Sequence, residues 1–285
     1  AGASVAPHAI DAFRGDSLAA LGRTADAAAA YTTAYHGHPR RMALDKAVRT
    51  LRSLGESDAA GQLLAHAVEA GILRVGLEEQ RPHELDGALE GKPVWTLDEA
   101  TPDGSLAAFV ASQMPLIVDE VHAALAADPD ALAKWYAATG SHLLYAHDAA
   151  LYRCVDPGCP ETRWHQVGLW ETGSPTDAAY AFPQTIQSFF DTLKPVLSFG
   201  RVLFSVLDAG VDIVPHVGPT NRRLTVHCGV AIPDVDGLYL RVADHNLSWA
   251  DGECFVFDDS FEHEVSFPIP SDAEADARQW FVNQA

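Results

Sequence analysis

The sequence predicts an α+β protein, a helical front half followed by an antiparallel barrel or sandwich with helices against one face. Three observations predict it. About 75 residues at the start are rich in Ala and Leu at helical spacing. From Trp164 onward the chain breaks into short β-branched and aromatic runs divided by turn residues. At 285 residues and 48% hydrophobic content, it can bury a sizeable core as one large domain or two smaller ones.

Within the first 75 residues, DSLAALGRTADAAAAYTTAYHGHP is echoed by RTLRSLGESDAAGQLLAHAVEAGI. Leu21-Gly22 and Leu54-Gly55 are offset by 33 positions, against a tetratricopeptide period of about 34. A helix, a Leu-Gly turn and an Ala-rich helix, twice over, make residues 1–75 a tetratricopeptide-like helical region. Two such units rarely stand alone, so this region is expected to pack against the β-rich remainder of the chain. It reads equally as a substrate-binding or lid surface and as a helical brace.

Residues 76–104, rich in Pro, Gly and charge, read as a connector. Ser105 to Thr139 gives one or two amphipathic helices, with Pro115 and Pro129 as ends or kinks. WHQVGLW, GRVLFSVLDAG, LTVHCGVAIP, LYLRVAD, ECFVFDD, HEVSF and RQWFVNQ are the expected strands, and FPQTIQSFFDTLKPVLSF a helix between the first two. Residues 105–285 thus form the β-rich domain with its flanking helices.

The formal charge of −20 with no basic run argues against nucleic acid and against an anionic membrane surface. No apolar run reaches the roughly 20 residues that span a bilayer, and AGASVAPHAI lacks the pattern of a signal peptide. The four cysteines are no disulfide framework. Cys154 and Cys159 flank VDPG and suit a local disulfide, a weak metal site or, as expected in a reducing cytoplasm, two free thiols. Cys228 and Cys254, at alternating strand positions, read as small buried apolar residues.

The most informative strings are PHVGPTNRRLTVHCGVAIP and LYLRVADHNLSWADGECFVFDDSFEHEV. In them His216 and His263 bracket a run of short strands, each in a turn-like polar stretch. That layout suits a small β-barrel holding one metal ion, with a ligand at each end of the run. His36, His38, His122 and His147 read as ordinary histidines.

The HxGPTN…RL…H…G…P and GE…FDDSFEHEV strings resemble the aspartyl/asparaginyl β-hydroxylases, a family of iron(II)- and 2-oxoglutarate-dependent oxygenases. The resemblance covers roughly residues 90 to 285, and more loosely the helical repeats. It implies a double-stranded β-helix (jelly-roll, cupin-like) fold, with His216 and His263 as ligands to Fe(II). Other non-heme oxygenases carry a carboxylate two residues after the first histidine; here that residue is Gly218. Asp258 and Asp259 are candidates for a direct ligand or for an acceptor behind the histidines.

For the cosubstrate, the resemblance implies that Arg278 clasps the distal carboxylate of 2-oxoglutarate with Ser205, although FPIPSDAEAD stands as an insertion before Arg278. His227 and Trp170 are implied in the same pocket, and Thr225 stands where animal members carry a second arginine. Arg223 is implied to face a substrate carboxylate and Gln166 is a weaker substrate contact, whereas Arg222 reads both as a substrate contact and as a surface residue. The expected reaction uses O2 to hydroxylate the β-carbon of an Asp or Asn residue in a peptide or protein, or a related small carboxylate. A free amino acid or natural-product intermediate is an alternative substrate. Further alternatives are a halogenase, with chloride filling the His-x-Gly gap, and a non-catalytic helical-repeat adaptor.

Overall fold

A computed structural model describes residues 7–128, 152–154, 164–171, 173–176, 179–180, 182–193, 200–268 and 278–284. The chain divides into two compact units. The first comprises Ala1–Gly91, Pro215–Arg222 and Asp259–Glu262; the second comprises Lys92–Val214, Arg223–Asp258 and His263–Ala285. These units cut across the expected regions 1–75, 76–104 and 105–285. The stretch 76–104 parts at Gly91, and the first unit also takes two short segments from the β-rich half.

The helices of the first unit are α1 (Pro7–Ala20), α2 (Thr24–Gly37), α3 (Arg41–Ser53) and α4 (Ser57–Glu69), each packed on the next. Ala27, Ala30, Ala47, Ala60 and Ala67 are buried among Tyr31, Tyr35, Leu44, Val48, Leu63 and Leu64. The small side chains bring the helix axes close, and a Cβ on Gly15 would collide with the Tyr31 ring. The two Leu-Gly turns repeat one geometry. Gly22 and Gly55 adopt φ of 70° and 78°, which glycine enters without a Cβ penalty. The next residue's N–H then reaches back to the last helical turn, Arg23 to the Leu18 carbonyl and Glu56 to the Leu51 carbonyl, both at 2.9 Å.

The second unit carries the sheets. Its long helix α6 (Ser105–Ala127) follows the short α5 (Leu97–Ala100) and runs unbroken through Pro115, so that proline is neither an end nor a break. Pro129 and the end of that predicted segment lie outside the described residues. The N-terminus of α7 (Pro183–Leu193) is capped by Glu120 of α6, whose carboxylate accepts from the Gln184 and Thr185 N–H groups at 2.8 Å each. An anion there offsets the positive end of the helix dipole.

Among the described residues, the strands form two sheets. They are β1 (Val94–Trp95), β2 (Tyr152–Cys154), β3 (Trp164–Glu171), β4 (Ser174–Pro175), β5 (Val202–Asp208), β6 (Val211–His216), β7 (Thr225–Ala231), β8 (Tyr239–Val242), β9 (His245–Leu247), β10 (Cys254–Phe257), β11 (His263–Phe267) and β12 (Arg278–Gln284). One sheet runs β1-β10-β7-β12-β5-β3-β4, the other β2-β6-β11-β8-β9. From β5 to β12 the chain passes back and forth between the sheets, broken only by the β8–β9 hairpin. That alternation is the wiring of a jelly roll, so the α+β, cupin-like expectation stands.

Period-2 alternation gives the seven-stranded sheet two different faces. Val202, Phe204 and Val206 of β5 and Val226, Cys228 and Val230 of β7 pack with Phe109, Met114, Ile117 and Val121 of α6. Phe182 meets Phe204 at 4.6 Å between ring centroids, and Phe109 meets Phe189 at 4.9 Å. The alternate residues, Ser205 of β5 and Thr225 and His227 of β7, lie on the other face.

Cys228 and Cys254 require a correction. They stand directly opposite each other on β7 and β10 and are joined as a disulfide. Cys228 is buried, as expected, whereas Cys254 is half-buried against the same core, and the two are bonded rather than merely packed. Cys154 lies on β2; its side chain and Cys159 are outside the described residues.

Candidate active site

His216 ends β6, and β6 neighbours β11, which opens on His263. After His216 the chain turns through Val217-Gly218-Pro219. The Gly218 N–H donates to the Asp259 carbonyl at 2.6 Å. A Cβ on Gly218 would stand 2.5 Å from the carboxyl carbon of Asp259 and no farther than 2.6 Å from either oxygen. The Asp259 carboxylate therefore fills the space that a side chain at 218 would use, which is the physical reason for glycine there. Asp259 and its neighbour Asp258 are both buried.

His263 is buried and meets the Phe257 ring at 5.5 Å. His227 is enclosed by aromatic rings: Phe257 edge-on at 5.0 Å, Trp249 stacked at 6.0 Å and Phe255 at 5.7 Å. Burial, and secondarily the nearby His263, push its imidazole down to about 3. His227 is accordingly neutral throughout the ordinary pH range, with one ring nitrogen to donate and one to accept.

A polar row crosses the sheet on the face away from the helices. Gln166 of β3 stands opposite Ser205 of β5. Ser205 is completely buried, and its Oγ accepts a hydrogen bond from Trp164 Nε1 at 2.8 Å. On β7, Thr225 and His227 share this face, opposite Phe257 and Phe255 of β10. Gln166 Oε1 and Thr225 Oγ1 are shielded from solvent and have no hydrogen-bond partner among the described residues.

Trp170 is placed elsewhere. The register of β3 against β5 shifts between Gly168 and Trp170, which sets Trp170 opposite Val202, and the indole is buried in the helix-packed core. The bulge adds one residue to β3 and reverses which face follows it. The structure therefore brings Trp164, not Trp170, to Ser205. Period-2 spacing from Gln166 would have found Trp164 two residues earlier on the same face.

The remaining candidates are less concentrated. Arg223 is half-buried just before β7, while Arg222 is exposed and 3.6 Å from Asp86. Arg278 opens β12 opposite Asp208, three positions before Phe281, which stands opposite Ser205. The side chain of Arg278 and residues 269–277, including most of the inserted segment, lie outside the described residues. His122 reaches Asp251 at 3.0 Å, and His36 packs against His66; His147 is outside the described residues. Among the described residues, no three or more His, Cys, Asp or Glu side chains cluster as a metal site.

Comparison with known proteins supplies the lineage. Residues 111–269 match the family model described as Aspartyl/Asparaginyl beta-hydroxylase. The aspartyl/asparaginyl beta-hydroxylases of Mus musculus and Homo sapiens are each 37% identical over 106 residues, 36% of this chain and 14% of theirs. Aspartate beta-hydroxylase domain-containing protein 2 of Rattus norvegicus is 45% identical over 65 residues, 23% of this chain and 18% of that one. The matched stretches thus span only about a seventh to a fifth of these relatives' length. With more than half of its residues inside the family match, the chain belongs to the aspartyl/asparaginyl beta-hydroxylase family.

Proposed function

We propose that the protein is an iron(II)- and 2-oxoglutarate-dependent dioxygenase that hydroxylates a C–H bond, with the β-carbon of an Asp or Asn residue, or of a related carboxylate, as its target. The observation that carries this reading is the buried polar row. A barrel face that buries Ser205, Thr225 and His227 and shields the amide oxygen of Gln166, with two oxygens unsatisfied among the described residues, suits a polar guest that supplies the missing bonds.

When bound, the ferrous ion and 2-oxoglutarate supply oxidising power: dioxygen is consumed, the keto acid becomes succinate and carbon dioxide, and one oxygen atom enters the substrate. In this reading, the imidazoles of His216 and His263 hold the ion. Gly218 contributes no ligand, and the Asp259 carboxylate packs beside it at that loop. Ser205, held by Trp164, and the guanidinium of Arg278 receive the distal carboxylate, the arginine through its two-pronged geometry. Neutral His227 offers a ring N–H without adding charge to the pocket. Arg223 receives the carboxylate of the substrate and so selects an anionic side chain in an otherwise acidic protein.

The α1–α4 pairs are read as tetratricopeptide-like and as the surface that presents a peptide or protein substrate. A halogenase is disfavoured because the strings around His216 and His263 lie within the stretch that matches the hydroxylase family. The bonded Cys228–Cys254 pair favours an oxidising compartment over the reducing cytoplasm expected at first.

The test is incubation of the full chain with Fe(II), 2-oxoglutarate and either Asp/Asn-containing peptides or free amino acids. A one-oxygen mass gain coupled to succinate is expected, abolished in His216→Ala and His263→Ala. Absence of both products from protein with metal demonstrably bound would sink the proposal.

A further inference from the structure

The segment 79–86, read from sequence as part of a connector, is hydrogen-bonded to both loops that flank the candidate metal ligands. Toward the DDSFE turn, Arg81 N–H donates to the Ser260 carbonyl at 3.2 Å and Glu262 N–H to the Glu79 carbonyl at 2.8 Å. Between them Gln80 bridges to Phe261, and its side-chain amide donates to Ser260 Oγ at 3.0 Å. Toward the HVGPTN loop, Glu84 N–H donates to the Pro219 carbonyl at 3.0 Å. Asn221 then closes a reciprocal pair with the backbone of Asp86: its Oδ1 accepts from the Asp86 N–H at 2.8 Å and its Nδ2 donates to the Asp86 carbonyl at 3.0 Å.

A buried charge cluster fastens one end of this segment. Arg81 is 0% exposed and Glu262 1% exposed, and the two side chains pair directly. Arg81 also meets Glu79 at 2.8 Å and Asp45 of α3 at 3.5 Å. Arg52 of α3 takes Glu79 at 2.8 Å and reaches Glu262 as well, while Arg49 meets Asp45 at 3.5 Å. The guanidiniums of Arg49, Arg52 and Arg81 thus balance the carboxylates of Asp45, Glu79 and Glu262. Apolar residues of similar volume would often hold such a core as well or better, so stability alone does not account for these ionised groups. What they add is direction. One N–H from Arg81 and one from Arg52 hold the two carboxylate oxygens of Glu262, the residue immediately before His263, in position and orientation, while the other arm of Arg81 takes Glu79.

We propose that residues 79–86 form a strap that sets the spacing of the 215–222 loop and the 259–262 turn, and so pre-arranges His216 and the entry to His263 for metal. Arg81, Glu262 and Asn221 are positioning residues in this scheme. The inference rests on the two-histidine reading above.

The test uses the full chain and Co(II) as an iron surrogate. Affinity is measured by calorimetry and ligand geometry by the visible absorption of bound Co(II). Asn221→Ala deletes two hydrogen bonds at the strap's far end without removing a charge. It should weaken Co(II) about tenfold, in line with the loss of a ligand-orienting partner, and alter the visible spectrum, with near-UV circular dichroism unchanged. Arg81→Lys, which keeps the charge and loses the fork, should shift the same spectrum. Co(II) affinity and spectrum identical to wild type in folded Asn221→Ala would overturn the strap; if Arg81→Lys does not fold, Asn221→Ala decides alone. His216→Ala separates the two ideas. If it binds Co(II) as tightly as wild type, the two-histidine reading fails and the strap falls with it.

Discussion

Gly218 and Asp259 share one space: the carboxyl group of Asp259 stands 2.5 Å from where a Cβ on Gly218 would be. Gly218 has no positive φ, so the demand for glycine is one of contact rather than backbone conformation. Gly218→Ala should destabilise the protein by about 1–3 kcal/mol, the usual cost of overfilling a packed site. Removing the obstructing carboxyl in Gly218→Ala/Asp259→Ala should recover part of that loss, a coupling of roughly 1 kcal/mol or more in a denaturant double-mutant cycle. Strictly additive effects would show that the two residues do not compete for the same volume.

The two tryptophans of WHQVGLW separate chemistry from packing. Ser205→Ala should raise KM for 2-oxoglutarate about tenfold or more with a smaller change in kcat, as expected for a lost hydrogen bond to a charged group. Trp164→Phe keeps an aromatic ring and loses the donor to Ser205, so it should move KM the same way by less. Trp170→Phe should leave KM unchanged and lower the melting temperature, because Trp170 packs in the helix-facing core. A KM effect confined to Trp170 would reverse the assignment.

The disulfide between Cys228 and Cys254 spans 26 positions in sequence. Closing a loop of that length restricts the unfolded chain by about 3.5 kcal/mol. Reductant should therefore lower the denaturation midpoint of the wild-type protein by more than that of Cys228→Ala/Cys254→Ala. An unchanged wild-type midpoint would mean the two thiols are not bonded in solution.

Acid should act partly through Glu79. Burial alone would raise its carboxyl, but the hydrogen bond from Arg52 and the charges of Arg81 and Arg52 outweigh this and hold it at about 2, below its usual 4.5. The unfolded chain binds that proton first as pH falls, so the stability Glu79 contributes is complete above about pH 4.5 and is lost progressively down to about pH 2. Between about pH 6 and about pH 3, urea unfolding of Glu79→Gln should lose less stability than wild type, although the variant is the less stable at neutral pH.

Much of this architecture is readable from local sequence. The Leu21-Gly22 and Leu54-Gly55 turns are set by residues within one helical turn of each glycine, and the strand runs by their own alternation. His216 and His263 stand out because their surrounding strings are long and specific. The features that are not readable depend on partners distant in the chain. Trp170 reverses face because of one extra residue in β3 against β5. Cys228 meets Cys254 only once β7 and β10 are in register. Pro115 is tolerated inside α6, where the surrounding apolar face packs well enough to carry a missing backbone bond. The polar character of residues 79–86 suggests a solvated tether. Instead, Gln80 and Arg81 find side-chain partners in Ser260 and Glu262, at separations of 180 and 181 positions.

Since Pro215–Arg222 and Asp259–Glu262 fold with the first 91 residues, the N-terminal helices are not an interchangeable cartridge. A chimera that grafts another relative's helices onto this barrel must import three pieces of donor sequence rather than one. A truncation beginning near Lys92 would leave both histidine-bearing loops with their hydrogen-bonding groups turned toward water.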